Sequence, residues 1–211
     1  DGDIKPNTRY PRNVSGAVDL ALVNHAHDRS AWCVPTLHWP YAAFDQDVIA
    51  PVDPSLACDV AFAGQLGGGI YAARTAFIEA LASQRGLHVR IFGPADGNTL
   101  LRTPEIAASA GSVIGFGRAS VPSWLDTRVY QYPASGAILL HDHVCDDFEP
   151  WVHYVPYATD DVSSAIDALD LLGRMSADDR MMVRWRAFTD GQAKHSYSAR
   201  VRAVLERLDL S

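Results

Sequence analysis

This sequence is poor in cysteine and almost without lysine. Its three cysteines, Cys33, Cys58 and Cys145, lie far apart and form no CxxC pair, which favours reduced thiols and a cytoplasmic location over a disulfide framework. Lys5 and Lys194 are its only lysines, and its net charge is −7. A surface of that charge does not attract a polyanion, so a nucleic-acid acceptor or partner has no support in the composition.

Several patterns that would identify a function directly are also absent. No apolar run reaches the roughly 20 residues of a membrane span, and there is no signal-peptide pattern. There is no GxGxxG fingerprint, no Walker loop and no GxSxG elbow. The length of 211 residues and the hydrophobic fraction of 48% are enough for one large domain with its own core. A globular protein is therefore expected, and its chemistry has to be sought where strands meet loops.

The organisation of the chain changes near Cys58. Before it, two short apolar runs predict strands, and a stretch carrying Asp and Pro without any period is typical of a linker. After it, apolar strands alternate with segments of helical spacing, which is typical of βαβ units. We therefore predict an α/β fold with a partial or reduced N-terminal α/β segment (1–45), a linker (46–57) and a Rossmann-like parallel sheet (58–211). The last predicted helix carries an apolar stripe that needs a partner surface, and we expect it to pack back on residues 17–45. The stripe consists of Tyr197, Val201, Val204, Leu205 and Leu208.

A glycine-rich loop follows the first strand of the predicted sheet. Residues 64–69 include four glycines and lie between the strand and a helix, where backbone N–H groups can approach a phosphate. Arg74, one turn into that helix, could reach the same anion. A plain flexible turn and a solvated surface arginine are the alternatives.

The stretch at residues 127–143 has a similar combination of elements. It begins with a helical turn that carries Arg128 and Gln131 and that Pro133 and Gly136 are expected to break. A short apolar strand comes next, and the polar residues that follow it are His141, Asp142 and His143. Because ligands of open α/β sheets bind beyond the carboxyl ends of the strands, this stretch is predicted to be one wall of a ligand crevice. An ordinary helix-to-strand connection is the alternative.

Two histidine clusters could also bind a metal ion, since residues i and i+2 of a strand share a face. Neither cluster has a zinc-type second half at a recognisable spacing, so we assign no metal site. Hydrogen-bonded loop histidines are the alternative. The clusters are His25, His27 and Asp28, and His141, Asp142, His143 and Cys145.

The order and spacing of these segments resemble the nucleotide-binding half of GT-B glycosyltransferases. The likeness is greatest to the group related to spore maturation glycosyltransferases. That group has a strand ending in Gly, then R-x-F-E, a small residue and Gly, an apolar strand ending in Asp, and a His-x-Tyr-x-x-Arg tail. The matching pieces are residues 59–64, Arg74, and residues 89–93, 128–131, 135–142, 148–154 and 195–200.

The resemblance implies transfer of a sugar from a nucleoside diphosphate sugar donor to an unknown acceptor. Arg74 and Arg128 would hold the diphosphate, so no cofactor or divalent metal would be required. A catalytic base would come from the acceptor half, where His25 and His27 are the candidates. The implied donor-binding residues are Gly64, Gln65, Arg74, Gly93, Arg128, Gln131, Gly136, Asp142 and His143.

Two departures from the family's pattern bear on activity. Gln131 stands where the family usually places a donor-binding glutamate, and the upstream acidic position of the wider fold falls at Ser123. Residues 1–45 resemble only the last strands of an acceptor domain, which implies an acceptor half that is missing or much reduced. The alternative function is a non-catalytic nucleotide or sugar-nucleotide binding module, or the donor-half subunit of a larger complex.

Overall fold

A computed structural model describes most of the chain from residue 20 onward. The described residues are 20–23, 34–39, 42–43, 49–93, 102–116, 127–142 and 148–209. Several residues singled out in the sequence lie outside these ranges, namely His25, His27, Asp28, Cys33, Ser123, His143 and Cys145.

The described strands form two parallel sheets. The small sheet pairs β1 (Ala21–Val23) with β2 (Thr36–His38). The strands of the main sheet are β3 (Cys58–Ala63), β4 (Val89–Phe92), β5 (Ala110–Gly115), β6 (Leu139–His141) and β7 (Tyr154–Pro156). All neighbours are parallel, in the order β4-β3-β5-β6-β7. The predicted α/β fold with a Rossmann-like parallel sheet is thus confirmed.

Helices connect these strands and cover both faces of the main sheet. They are α1 (Ala72–Ala82), α2 (Thr103–Ser109), α3 (Thr127–Ala134), α4 (Val162–Arg174), α5 (Ala177–His195) and α6 (Tyr197–Arg207). Side chains of a strand alternate between faces, so Val60 and Phe62 join one core with α1 and α4. Ala61 and Ala63 join a second core with α2 and α3. The sheet is therefore the middle layer of three.

Residues 53–56 of the predicted linker pack against this domain. Pro54–Leu56 is one turn of 3₁₀ helix capped by the Asp53 side chain, which accepts a hydrogen bond from Ser55 N–H. Leu56 is buried in the core on the α2 side of the sheet. The division of the chain near residues 46–57 stays a prediction.

The junction of α5 and α6 is hydrogen-bonded to Ala43 of the N-terminal part. Ala43 N–H donates to His195 O at 2.8 Å, and Tyr197 N–H donates to Ala43 O at 3.0 Å. Helix α6 buries none of its residues, and Val201 and Leu205 of its predicted apolar stripe are 48% and 39% exposed. The packing of the whole helix on residues 17–45 stays a prediction.

Candidate functional site

The carboxyl ends of the five strands lie side by side. Ala63 of β3 pairs with Phe92 of β4, so Gly64 and Gly93 leave neighbouring strands together. Gly115 of β5 pairs with His141 of β6, and His141 pairs with Pro156 of β7. The loops that begin at Gly64, Gly93, Phe116, Asp142 and Tyr157 therefore share one edge of the sheet.

The order of the strands marks one place on that edge. From β3 the chain passes to β4 on one side, and then crosses to β5 on the other side of β3. Loops that leave two adjacent strands toward opposite faces leave a crevice between them, and ligands of open α/β sheets bind there. The crevice expected in this protein lies beyond Ala63 and Gly115.

Arg128 reaches this place from α3. A Cβ atom added to Gly64 would lie 2.9 Å from Arg128 Nη1 and 2.9 Å from Phe62 Cζ. Gly64 is thus the contact surface for the guanidinium, and a side chain there would displace it. The N–H of Gly64 donates to Phe92 O at 2.8 Å, so phosphate-binding N–H groups of this loop have to come from later residues.

Side chains of α1 hold the glycine-rich loop in place. Arg74 stacks over the ring of Tyr71, with Cζ 4.6 Å from its centroid, and donates to Gln65 O. Thr75 Oγ1 accepts from Gly67 N–H at 2.8 Å. The N–H groups of Gly68 and Gly69 make no hydrogen bond within the described part of the chain. The role of Thr75 was not predicted from the sequence. A hydroxyl side chain one turn into the helix after a glycine-rich loop would have indicated it.

Helix α3 carries the predicted pair Arg128 and Gln131. The prediction that Pro133 breaks this turn is wrong, because the helix runs to Ala134 and the missing N–H of Pro133 removes only one internal bond. The helix ends at Gly136, whose φ is 80°. Gly136 N–H donates to Pro133 O at 2.8 Å, and Ala137 N–H donates to Tyr132 O at 2.9 Å. This is the Schellman arrangement, in which glycine is favoured by its positive φ.

Gln131 is fully buried, and among the described residues its side-chain amide has no hydrogen-bond partner. Its exposed fraction is 0%, and neither Oε1 nor Nε2 meets a protein group within the described residues. Ser135, one turn further along, has a buried and likewise unpartnered Oγ. An unpaired buried amide is costly, with each lost hydrogen bond worth about 1–3 kcal/mol. Both amide atoms are inaccessible in this structure, so a ligand hydroxyl would remove that cost only after the crevice opened to them.

Strands β6 and β7 lie beyond β5 and contribute the remaining polar groups at this edge. Tyr157 donates its hydroxyl to Gly115 O at 2.7 Å, and its N–H donates to His141 O at 3.2 Å. Burial raises the pKa of Tyr157 well above its ordinary value, and Asp142 and Asp160 raise it further, so the phenol keeps its proton and remains a donor. Asp142 follows β6, with its side chain 5% exposed and Oδ1 3.7 Å from His141 Nδ1.

The structure brings together most of the predicted site residues. Gly64, Gln65, Gly93 and Asp142 follow strands at the carboxyl edge, where Arg74 and Arg128 also lie. Gly136 lies at the opposite edge, because β6 begins three residues later and runs parallel to its neighbours. His25, His27 and His143 lie outside the described residues.

A cavity of about 550 Å³ opens at this opposite edge. It is lined by Asp59 and Gly111 near the starts of β3 and β5, and by Arg180 and Arg184 of α5. Arg184 donates to Ala110 O and Gly111 O, at 3.0 and 3.3 Å. Burial, followed by the charge of Arg180, lowers the pKa of Arg184. Strand order and direction are better guides to ligand binding than volume, so we assign the site to the carboxyl edge.

The described residues carry neither a metal-binding cluster nor a membrane span. They contain no group of three or more His, Cys, Asp or Glu side chains placed to hold a metal ion. None of their helices is both long and apolar enough to cross a membrane.

These features define a three-layer α/β protein whose strand order reverses between β3 and β5 of a parallel sheet. Residues 74–206, well over half of the chain, match the family described as glycosyl transferase-like. The chain belongs to that family, as its sequence resemblance predicted. A comparison with curated protein sequences finds no match.

Solved structures of glycosyltransferases share the fold. HepE from Anabaena, in complex with UDP and glucose, is 9% identical with a TM-score of 0.69, over 96% of this chain and 66% of that one. A Rickettsia africae glycosyltransferase is 9% identical with a TM-score of 0.66, over 94% and 66%. Sucrose-phosphate synthase from Thermosynechococcus elongatus is 11% identical with a TM-score of 0.63, over 96% and 60%. The predicted GT-B fold is confirmed, and the chain spans about two thirds of the length of these proteins or less.

Proposed function

We propose that this chain acts as a glycosyltransferase. It would bind a nucleoside diphosphate sugar as donor and transfer the sugar to an acceptor. The observation that carries the proposal is the approach of Arg128 to Gly64, at the place where the strand order reverses. A guanidinium held beside a glycine leaves room for a diphosphate and can donate to two of its oxygens at once. Family membership gives the class of reaction.

The chemical role that we propose for this site is stabilisation of the leaving group. In the transfer, the bond between the anomeric carbon and the β-phosphate oxygen breaks, and an acceptor oxygen bonds to that carbon and loses its proton. The leaving diphosphate gains negative charge, which Arg128 and Arg74 are placed to stabilise together with the N–H groups of Gly68 and Gly69. We propose that these groups perform this role without a divalent metal or cofactor.

The remaining assignments rest on the sequence. His25 and His27 are our candidates for the base that takes the acceptor proton, and His143 for a further donor contact. HepE, which shares the fold, was crystallised with UDP-glucose, and that makes a UDP-sugar the first donor to test. The kinship with spore maturation glycosyltransferases, the cytoplasmic location and the reduced acceptor half stay predictions. The acceptor is not identified by any residue.

The unpartnered amide of Gln131 gives a direct test of the donor site. Replacing Gln131 by methionine, a side chain of similar length without an amide, removes two buried atoms that lack hydrogen-bond partners in the described part of the chain. We expect the free energy of unfolding to rise by about 1–2 kcal/mol. If the amide binds a donor hydroxyl, UDP affinity should fall by roughly tenfold at the same time. Urea unfolding and calorimetric titration with UDP measure the two effects.

Gln192→Met is the matched control for this substitution. Gln192 Nε2 donates to Ala134 O at 3.1 Å, so its loss should lower stability rather than raise it. UDP affinity that is unchanged in Gln131→Met would show that Gln131 does not contact the nucleotide.

A non-catalytic nucleotide-binding module is the second candidate function. It is favoured by one observation, the neutral Gln131 where the family usually carries a glutamate. Hydrolysis of the donor by the purified chain separates the two, because a site that can break the glycosidic bond also transfers sugar slowly to water. We expect UDP-glucose to release glucose and UDP in the presence of the chain. Tight UDP binding with no release above the rate in buffer would support the binding module.

A further inference from the structure

We propose that His195 and Arg200 are positioning residues that hold α3, and with it Arg128 and Gln131, against the donor crevice. Both belong to the His-x-Tyr-x-x-Arg segment at residues 195–200, which has no part in the site described above. His195 is the last residue of α5 and Arg200 lies in the first turn of α6. The inference rests on the proposed function, since it concerns the same donor site.

Tyr130 of α3 is the residue on which this pair acts. It is fully buried, and its ring centroid lies 5.6 Å from that of His195 and 5.5 Å from that of Phe148. Arg200 Cζ lies 5.5 Å from the Tyr130 centroid, within the range of a cation–π contact. His195 and Phe148 also stack on each other, with centroids 4.6 Å apart. Tyr130 is thus enclosed by two rings and one guanidinium.

The two positioning residues are themselves joined. Arg200 Nη2 lies 3.1 Å from His195 Nδ1. Because a guanidinium has no acceptor, Arg200 is the donor and Nδ1 accepts, which fixes the orientation of the imidazole ring. The ring can then stack on Tyr130 and Phe148 in one orientation only. Loss of either partner should release the other.

The place of Tyr130 in the sequence connects this cluster to the donor site. It stands between Arg128 and Gln131 in a helix of only eight residues, so a rotation of α3 that moves Tyr130 also moves both of them. The far end of α3 is held separately, because a Cβ at Gly191 would lie 3.0 Å from Ala134 Cα. The His195–Arg200 pair therefore positions the half of α3 that carries Arg128 and Gln131.

The same junction also touches the N-terminal part. His195 O accepts from Ala43 N–H, and Ser196 forms an isolated parallel bridge with Ala43. One residue thus contacts the N-terminal segment through its carbonyl and the donor helix through its ring. A shift at Ala43 would be transmitted to Arg128 by way of His195 and Tyr130.

Hydrogen exchange tests the hold on α3 without any ligand. In Arg200→Ala we expect the amides of Gln131, Tyr132 and Ser135 to exchange about tenfold faster, while those of Phe77 and Leu81 in α1 keep their rates. Arg202→Ala is the matched control, since Arg202 is exposed on the same helix. Arg200→Lys, which keeps the charge without the flat guanidinium, should show a smaller change and serves if Arg200→Ala does not fold.

A double-mutant cycle separates positioning from a general loss of stability. With every variant measured well below its melting temperature, Arg200→Ala should weaken UDP binding about fivefold. In an Arg128→Ala background it should weaken binding by less than about twofold, because the group that it positions is gone. A purely structural role would lower the melting temperature and leave UDP affinity unchanged in both backgrounds.

Each outcome decides a different point. Unchanged exchange of the α3 amides overturns the inference whatever happens to binding, and so does an equal loss of UDP affinity in the two backgrounds. If the wild type binds none of UDP, GDP, ADP and dTDP, the proposed function is wrong. Faster exchange confined to α3 would in that case still show that the pair holds the helix.

Discussion

Replacing Arg128 by alanine is expected to weaken the binding of nucleoside diphosphates by roughly ten- to a hundredfold. The guanidinium lies against Gly64 at the reversal of strand order, where a diphosphate would bind. A hydrogen bond to a charged group contributes about 1.5–3 kcal/mol, which corresponds to that range of affinity. Arg128→Lys should recover only part of the loss, because an ammonium cannot make the forked contact. Calorimetric titration with UDP and GDP measures both variants.

The control for this substitution is Arg186→Ala, an exposed arginine on α5. It should leave both the affinity and the melting temperature unchanged. If Arg128 serves only to pack against Gly64, its replacement would lower the melting temperature and leave the affinity for UDP as it was.

Replacing Gly111 by alanine is expected to destabilise the protein by about 2–3 kcal/mol. The added Cβ would lie 2.7 Å from Asp59 O, a main-chain atom of the neighbouring central strand. Since neither strand can move without disturbing β3, β5 and their shared register, the overlap cannot be relieved by a side-chain rotation. The melting temperature should fall by about 5–10 °C for a chain of this size. A thermal melt followed by circular dichroism measures it.

Gly173→Ala provides the opposite expectation with the same chemical change. Gly173 lies in α4, where a Cβ would meet nothing within 4 Å. Alanine is favoured over glycine inside a helix by about 1 kcal/mol, so the melting temperature should rise. A Gly111→Ala variant as stable as the wild type would contradict the pairing of β5 with β3, and with it the position of the crevice.

The strands and their direction could be predicted from local pattern. Residues 60–63 form a short apolar run followed by a glycine-rich loop, and such runs alternating with helical segments predict a parallel sheet. The family resemblance implied that Gly64 and Arg128 bind the same donor. Their contact could not be predicted, because it depends on the pairing of β5 with β3 and of β6 with β5, which brings α3 over the end of β3.

Local rules gave the wrong result where packing outweighs them. Proline usually ends a helix, but Pro133 lies in a short helix that is buried from Val129 to Ala134 and ends in a Schellman turn at Gly136. The burial of this helix compensates for one missing hydrogen bond. Gly136 matched a family motif as a donor-binding residue, whereas the structure gives it a turn-forming role at the opposite edge.

The contacts that complete the site join residues far apart in the chain. Tyr157 bonds to Gly115 O across 42 positions, and the His195–Arg200 pair reaches back to Tyr130. Nothing in the local sequence around Tyr130 predicts that a histidine and an arginine near the end of the chain enclose it. The His-x-Tyr-x-x-Arg segment was visible as a motif, but its target was not.

Amide chemical shifts measured by NMR during titration with UDP test the central claim most directly. If the donor binds at the carboxyl edge, the shifts of the loop at residues 64–69, of Gly93 and of residues 128–131 should change in proportion to saturation. Amides around the cavity at the opposite edge, including Asp59, Gly111 and Arg184, should keep their positions. Changes centred on that cavity, or no change at any UDP concentration, would contradict the assignment of the donor site.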